Sequence, residues 1–264
     1  MDVIGKLWRY WRFVRECDNL KSLVSMGLYI PQAAIRLFDE SYKGKFLFDV
    51  TLRNENGKFF CGKNFAAVHT ASSFHEKGMK KFFELKKGTI VDIGANIGKY
   101  SIIAARSLNR NGRVVSIEAE PYNFSVLEKN IILNNLTNVI PVNKACFSKK
   151  GKLEFYVEKE GGGLHSLYKT KDHSKKMIVE GDTLDNILKK LQIKKVDLIK
   201  VDVEQAEPDV LRGAIKTIKR DRPTIIFEAW TEKNLKDVEK VLKPLKYKFV
   251  KGPEMNYIAN YSIK

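Results

Sequence analysis

The stretch IKVDVEQAEPDV, residues 199–210, sets Asp202, Glu204 and Glu207 at the end of an apolar run in a chain of formal net charge +17. Carboxylates gathered there can meet a cation, accept a proton from an incoming hydroxyl, or hold a metal ion. A second stretch, VDIGANIGKYS, puts Asp92, Gly94, Asn96 and Gly98 between an apolar run and a helical one. Glycine at position 94 permits a sharp turn and a close backbone approach to a ligand, and at position 98 it lets a helix pack close. The spacing is Gly-x-x-x-Gly, not the dinucleotide Gly-x-Gly-x-x-Gly. Asp92 would repel a pyrophosphate at the next helix N-terminus and attract an ammonium group. Glu118 closes the following apolar run, where a carboxylate can accept both hydroxyls of an adenosine ribose.

Such residues need a scaffold that brings strand ends together. From residue 76 the sequence alternates strand and helix. TIVDIGA (89–95) is a continuous apolar run, the mark of a strand buried on both faces, and VVSIEAE (114–120), NVIPVNKACF (138–147), VDLIKVDVE (196–204) and PTIIFEAW (223–230) read as further strands. Helices are expected at Lys99–Leu108, in YNFSVLEKNIILNN, from Pro208, and in EKNLKDVEKVLKPL. KLEFYVE looks like an extra antiparallel piece, and YKFVKG with NYIANYSI forms a closing hairpin. The alternation predicts an α/β fold with a doubly wound, mostly parallel sheet whose ligands bind beyond the carboxyl ends of the strands. Ahead of it, apolar residues from Val3 to Leu28 form a helical stripe, expected to pack on the domain. FLFDVTLRNENGKFFCG follows as a hairpin about Asn56–Gly57. The expected division is an N-terminal extension, 1–75, and a ligand-binding domain, 76–264.

A cofactor with a cationic centre, an adenosine and an amino acid tail points to S-adenosylmethionine. The stretches VDIGANIGKYSIIAA, RVVSIEAEPYNFSVLEKNIILNN, VNKACFSKKGKLEFYV, GGGLHSL and VDLIKVDVEQAEPDVLRGA together resemble the FkbM-type methyltransferases over about residues 76–260. The resemblance implies a class I S-adenosylmethionine enzyme, a Rossmann-like seven-stranded sheet with its last strand antiparallel, and O-methylation of a sugar or glycoconjugate hydroxyl. It implies that Asp92, Gly94, Asn96, Gly98 and Glu118 hold the cofactor, with Asn143 and Ala145 beside the adenine and Asp202 near the methionine portion. Candidates for removing the acceptor proton are Asp202, Glu204, Glu228 and His165. His165 lies where the family has Ser or Asn. A divalent metal is compatible with the carboxylates but no spacing demands one. The other histidines, His69, His75 and His173, are expected on the surface or in packing. Where the family has glycine after the strand-end glutamate, this chain has Gln205, which either strains the turn or lines the acceptor pocket with an amide.

Composition narrows the alternatives. Apolar content of 44% and charged content of 30% describe a folded globular chain. No apolar run nears the ~18 residues of a membrane span, and the first residues lack a signal peptide's apolar core, so a cytoplasmic location is the default. Peripheral membrane contact through residues 1–28 is the competing use of the basic, Trp-bearing stripe. Cys17, Cys61 and Cys146 fit neither a disulfide framework nor a zinc spacing and are expected reduced. Positive charge permits nucleic acid but is spread along the chain, so RNA or protein methylation ranks below a saccharide acceptor, as does a degenerate cofactor-binding scaffold. The lysine-rich stretch from Lys77 to Lys87 reads as a solvated face. Oligomeric state is left open.

Overall fold

The structure, a computed structural model, describes residues 10–35, 46–109, 111–158, 166–167 and 173–262. The N-terminal stripe is not one helix: residues 10–15 are helical, the chain breaks at 16–19, and α1 (Leu20–Ile35) follows. The break is held by buried Glu16, which accepts the side-chain N–H of Asn54 at 2.8 Å and the Ser73 N–H at 3.2 Å. The face of α1 that packs inward is Ser22, Ser25, Met26 and Tyr29, whereas Leu20, Leu23, Val24 and Leu28 are exposed. The serines are inward because their hydroxyls serve backbone groups: Ser22 Oγ accepts the Thr51 N–H at 2.8 Å and Ser25 Oγ donates to Phe48 O at 2.9 Å. The hairpin forms as β1 (Val50–Asn54) and β2 (Gly57–Gly62), with Asn54 paired to Gly57, so its two-residue turn is Glu55–Asn56 rather than Asn56–Gly57. It joins the rest of the chain through Asn130, whose amide accepts the Phe60 N–H at 2.6 Å and donates to Phe60 O at 3.1 Å. Helix α2 (Phe65–Ala71) follows, capped by the Asn64 side chain. Lys77–Phe83 is a 3₁₀ segment that buries Met79 and Phe83 and leaves Lys77 and Lys81 in solvent.

Continuous apolar runs then build the main sheet. In chain order come β3 (Thr89–Ile93), α3 (Lys99–Ser107), β4 (Arg113–Glu118), α4 (Pro121–Leu133) and β5 (Val139–Asn143). Next are β6 (Ala145–Cys146), β7 (Gly151–Glu158), β8 (His173–Asp182), α5 (Leu184–Lys190), β9 (Leu198–Val201), α6 (Glu207–Arg212) and α7 (Ile215–Asp221). The last are β10 (Thr224–Glu228), α8 (Glu232–Leu242), β11 (Tyr247–Lys251) and β12 (Asn256–Tyr261). Seven strands lie in the order β11-β12-β10-β9-β3-β4-β5. β12 runs antiparallel to both neighbours, and β10, β9, β3, β4 and β5 are mutually parallel. The fold class is therefore the Rossmann-like doubly wound sheet expected, last strand antiparallel.

The third expected strand divides at Lys144: β5 stays in the main sheet, while β6 joins β8 and β7 in a separate three-stranded sheet. β8 has no counterpart in the sequence reading. Its alternation is blurred because Ile178 is 56% exposed while its neighbour Val179 is buried. All three cysteines are free thiols, with Cys61 and Cys146 buried. From β3 the chain moves outward to β4 and β5, and from β9 outward to β10 on the other side. The carboxyl ends of β3 and β9 are thus the point where strand order reverses, where a crevice opens in such sheets.

Candidate active site

A cavity of about 340 Å³ opens at that point. Its floor begins with Gly94, at φ +77, on the turn after β3. A Cβ on Gly94 would stand 1.7 Å from the Asp202 carbonyl oxygen, so only glycine lets the β3 and β9 turns touch. Glu118, at the end of β4, is buried and lines the cavity. Its carboxylate accepts the Asn96 N–H at 2.8 Å and the Glu120 N–H at 2.9 Å. Burial pushes this carboxyl up to about 7, against the pull of those two N–H groups. Ala145 lines the cavity with Cys146, Phe155 and Leu167, an apolar slot beside Glu118.

Three residues expected at the cofactor are not among those that line the cavity. Asp92 is buried but is not a lining residue. It accepts the Ser101 hydroxyl at 2.6 Å and lies 3.9 Å from the Lys200 ammonium, so its role is to neutralise an interior cation. Gly98 also lies outside the lining, and a Cβ there would meet Leu127 at 2.6 Å. It serves the packing of α3 on α4. Asn143 is exposed and donates its amide to Glu118 O at 2.9 Å, bracing the end of β4 from outside the cavity. His165 lies outside the described residues.

Beyond β9 the backbone has already turned when the acidic residues arrive. The strand ends at Val201, and Glu204 and Gln205 have φ of +51 and +78. Side chains two apart, such as Asp202 and Glu204, would share one face of a continuing strand, but no strand continues past Val201. The turn instead brings both to the cavity wall with Glu228 from the end of β10, and one oxygen from each of the three lies within 4.8 Å of the others. Asp202 accepts Lys200 Nζ at 2.9 Å and a hydrogen bond from Glu228, and Trp230 donates its indole N–H to Glu228 at 2.7 Å. Burial alone would raise the Asp202 carboxyl, but Lys200 holds it below the usual range. Burial, then the Asp202 charge, pushes Glu228 up to about 9, so at neutral pH the pair carries one carboxylate and one carboxylic acid. The three carboxyl groups could ligate a cation. Nothing beyond their clustering points to an ion, and Lys200 already meets Asp202.

Gln205 is exposed and is not among the lining residues. Of its two expected consequences, strain at the turn is what the structure displays. Glu207 explains how the turn persists: it is buried at the start of α6 and accepts the N–H groups of Val203 and Gln205, both at 3.2 Å, and the Asn234 amide at 2.8 Å.

Several lining residues escaped the sequence reading. Lys200 is only 3% exposed and lies 4.9 Å from the Tyr100 ring centroid. Its signal was present, since residues two apart on a strand share a face and Lys200 stands two before Asp202. His69 and His75, expected on the surface or in packing, both line the cavity, with ring centroids 4.5 Å apart. They come from the segment before residue 76 and are pinned by buried Lys99, which donates to His75 O at 2.5 Å and Ser72 O at 3.2 Å. Burial, reinforced by Lys99, lowers His75 to about 4, so its ring is neutral at physiological pH.

The model of the methyltransferase FkbM domain matches residues 92–249. "Methyltransferase 1" of Beauveria bassiana (strain ARSEF 2860) is 28% identical over 144 residues, which is 47% of this chain and 57% of that protein. "Methyltransferase sdnD" of Sordaria araneosa is 27% identical over 171 residues, 53% of this chain and 66% of that one. These matches span about three fifths of the curated relatives' length. Among solved structures, methyltransferase FkbM from Methylobacillus flagellatus KT superposes with a TM-score of 0.48 at 14% identity, over 98% of this chain and 60% of that chain. With the family match running from Asp92 at the first turn to Phe249 in β11, across every strand end that forms the cavity, the chain belongs to the FkbM methyltransferase domain family.

Proposed function

We propose that this chain is an S-adenosylmethionine-dependent O-methyltransferase whose acceptor is a hydroxyl of a sugar or glycoconjugate. The residues present fit the cofactor. Gly94 lets the turns after β3 and β9 close on each other at the cavity floor, Glu118 presents a buried carboxylate at the end of β4, and Ala145, Phe155 and Leu167 make an apolar slot beside it. Gly94, Asn96, Glu118 and Ala145 would hold it, with Asp202 toward its cationic end. When bound, S-adenosylmethionine supplies a methyl group on a sulfonium centre.

The observation that carries the reading is the Lys200–Asp202–Glu228 array at the cavity wall. Lys200 keeps Asp202 ionised, so Asp202 can take the proton that leaves the acceptor hydroxyl. Glu228, still protonated, donates to Asp202 and fixes its orientation through Trp230. His69 and His75 also line the cavity and suit hydrogen bonds to an acceptor rich in hydroxyls. Gln205, outside the lining, does not obstruct the site, which favours an enzyme over a degenerate scaffold.

The test is transfer of labelled methyl from the cofactor to fractionated glycan, lipid, RNA and protein pools, with wild type beside Asp202→Asn. Labelling should concentrate in the glycan pool and fall by roughly 10²–10⁴ in the variant, the range for a lost acid–base group. Labelling of RNA or protein alone would overturn the acceptor class. Undiminished transfer by Asp202→Asn would remove Asp202 as the base.

A further inference from the structure

The exposed face of α1 is the largest departure from what burial requires. Leu20 is 73% exposed, Leu23 43%, Val24 40% and Leu28 50%, and their spacing of three and four residues places them on one helix face. Trp11 at 55% and Leu47 and Phe48 at 52% and 40% are exposed on the segments flanking α1 in the sequence, and Phe48 is tied to α1 by the Ser25 hydroxyl. Single exposed apolar residues are ordinary, but a continuous stripe of them marks a surface that meets something.

We propose that this face docks on an anionic membrane surface. Charge selects that occupant. Residues 10–15 and α1 carry Arg12, Arg15 and Lys21, all exposed, and no acidic side chain. Arg12 stacks on Phe74, and no ion pair takes Arg15 or Lys21 among the described residues. Among the described residues the nearest exposed acid in sequence is Asp49, while Asp18 is paired with Arg53. An apolar stripe with Trp and basic side chains is the pattern of a helix lying in the headgroup layer, where buried apolar area and attraction to acidic lipids add. No helix among the described residues is long and apolar enough to cross a membrane, so the contact is peripheral.

The opposite face of α1 connects to the cavity. Tyr29 stacks on Phe65 at 5.1 Å, and α2, which begins at Phe65, presents Ala66, His69 and Thr70 to the cavity. The surface is therefore one helix away from the wall where the acceptor would sit, an arrangement suited to acceptors held at a membrane.

Sedimentation of the full chain with vesicles tests this, comparing phosphatidylcholine alone with phosphatidylcholine plus phosphatidylserine. Binding should require the acidic lipid, weaken with salt, and fall at least tenfold for Leu20→Ser/Val24→Ser/Leu28→Ser, whose exposed positions should leave the melting temperature unchanged. Absence of binding to either vesicle, or equal binding by the triple variant, overturns the proposal. So does light scattering that shows a dimer broken by the same substitutions without vesicle binding. Methyl transfer is not read in this experiment, so its failure would leave the reading of the cavity intact.

Discussion

The carbonyl oxygen of Asp202 occupies the space beside Gly94 where any other residue would carry its Cβ, at 1.7 Å from that point. The turn after β3 and the turn after β9 are thus fitted to each other, and the cavity depends on that fit. Gly94→Ala must push the two turns apart or unfold one of them, and its φ of +77 adds strain. We expect loss of cofactor binding by calorimetry and a lower melting temperature. A variant that binds S-adenosylhomocysteine like wild type would show that the turns are not coupled.

Lys200 stands between Asp92 and Asp202, and removing one member of a buried ion group costs about 3–5 kcal/mol because the charge left behind has no partner. Lys200→Met should therefore destabilise strongly in denaturant unfolding. Adding Asp92→Asn should recover part of the loss, since Asp92 is buried at 1% exposure and is left uncompensated by the first change. Additive losses in the double variant would mean that the two groups do not interact.

Glu118 gives the cofactor prediction. Glu118→Ala should weaken S-adenosylhomocysteine binding by about 1–3 kcal/mol through lost hydrogen bonds to the ribose. Because burial holds its carboxyl up to about 7, wild-type binding should strengthen from pH 6 to pH 8 as the carboxylate forms. Titration calorimetry across that interval checks both, and a flat pH dependence would remove Glu118 from the ribose.

Stability should run the other way with pH. Glu118 and Glu207, each raised to about 7, and Glu228, raised to about 9, keep protons in the fold that the unfolded chain has released above about 4.5. The native state then binds more protons than the unfolded one, and stability falls as pH rises. His75, lowered from 6.5 to about 4, acts oppositely below 6.5, and Lys99, lowered to about 8, acts oppositely above 8. Between those limits the carboxyl groups dominate. Melting temperature should decline from pH 6.5 to 8, and Glu228→Gln should flatten the slope. A rise across this window in wild type would contradict the buried-carboxyl account.

The parts of the fold that could be read from sequence are those fixed by burial on both faces. β3, β4, β9 and β10 are continuous apolar runs, and Gly94 and Glu118 fall at their ends by necessity. What could not be read was set by partners distant in sequence. His69 and His75 face the cavity because Lys99 holds the chain between them and α3. Lys200 was hidden because a lysine in an apolar strand looks like its exposed exception, and only Asp92 and Asp202 together make its burial affordable. α1 turned its serines inward because Thr51 and Phe48 needed hydrogen-bond partners, which hydrophobicity alone does not reveal. The turn after Val201 was also concealed, because Glu204 and Gln205 adopt positive φ without being glycine.

That turn yields a stability prediction of its own. A non-glycine residue at φ +78 costs about 1–3 kcal/mol, and Gln205 has no lining role to justify it. Gln205→Gly removes that strain while losing about 0.4–1 kcal/mol to the greater freedom of the unfolded chain. The Gln205 N–H bond to Glu207 and the bond from Asn234 to the Gln205 carbonyl are backbone contacts of the turn and survive the change. The variant should therefore be as stable as wild type or more so, by up to about 2 kcal/mol. Gln205→Ala is the control, since it keeps a side chain at the strained φ and should gain nothing. Because Gln205 is exposed and outside the cavity, cofactor affinity and turnover should be the same in all three proteins. If the glycine variant is no more stable than the alanine variant, the turn is not strained. If it alters acceptor dependence, the side chain of Gln205 reaches substrate after all.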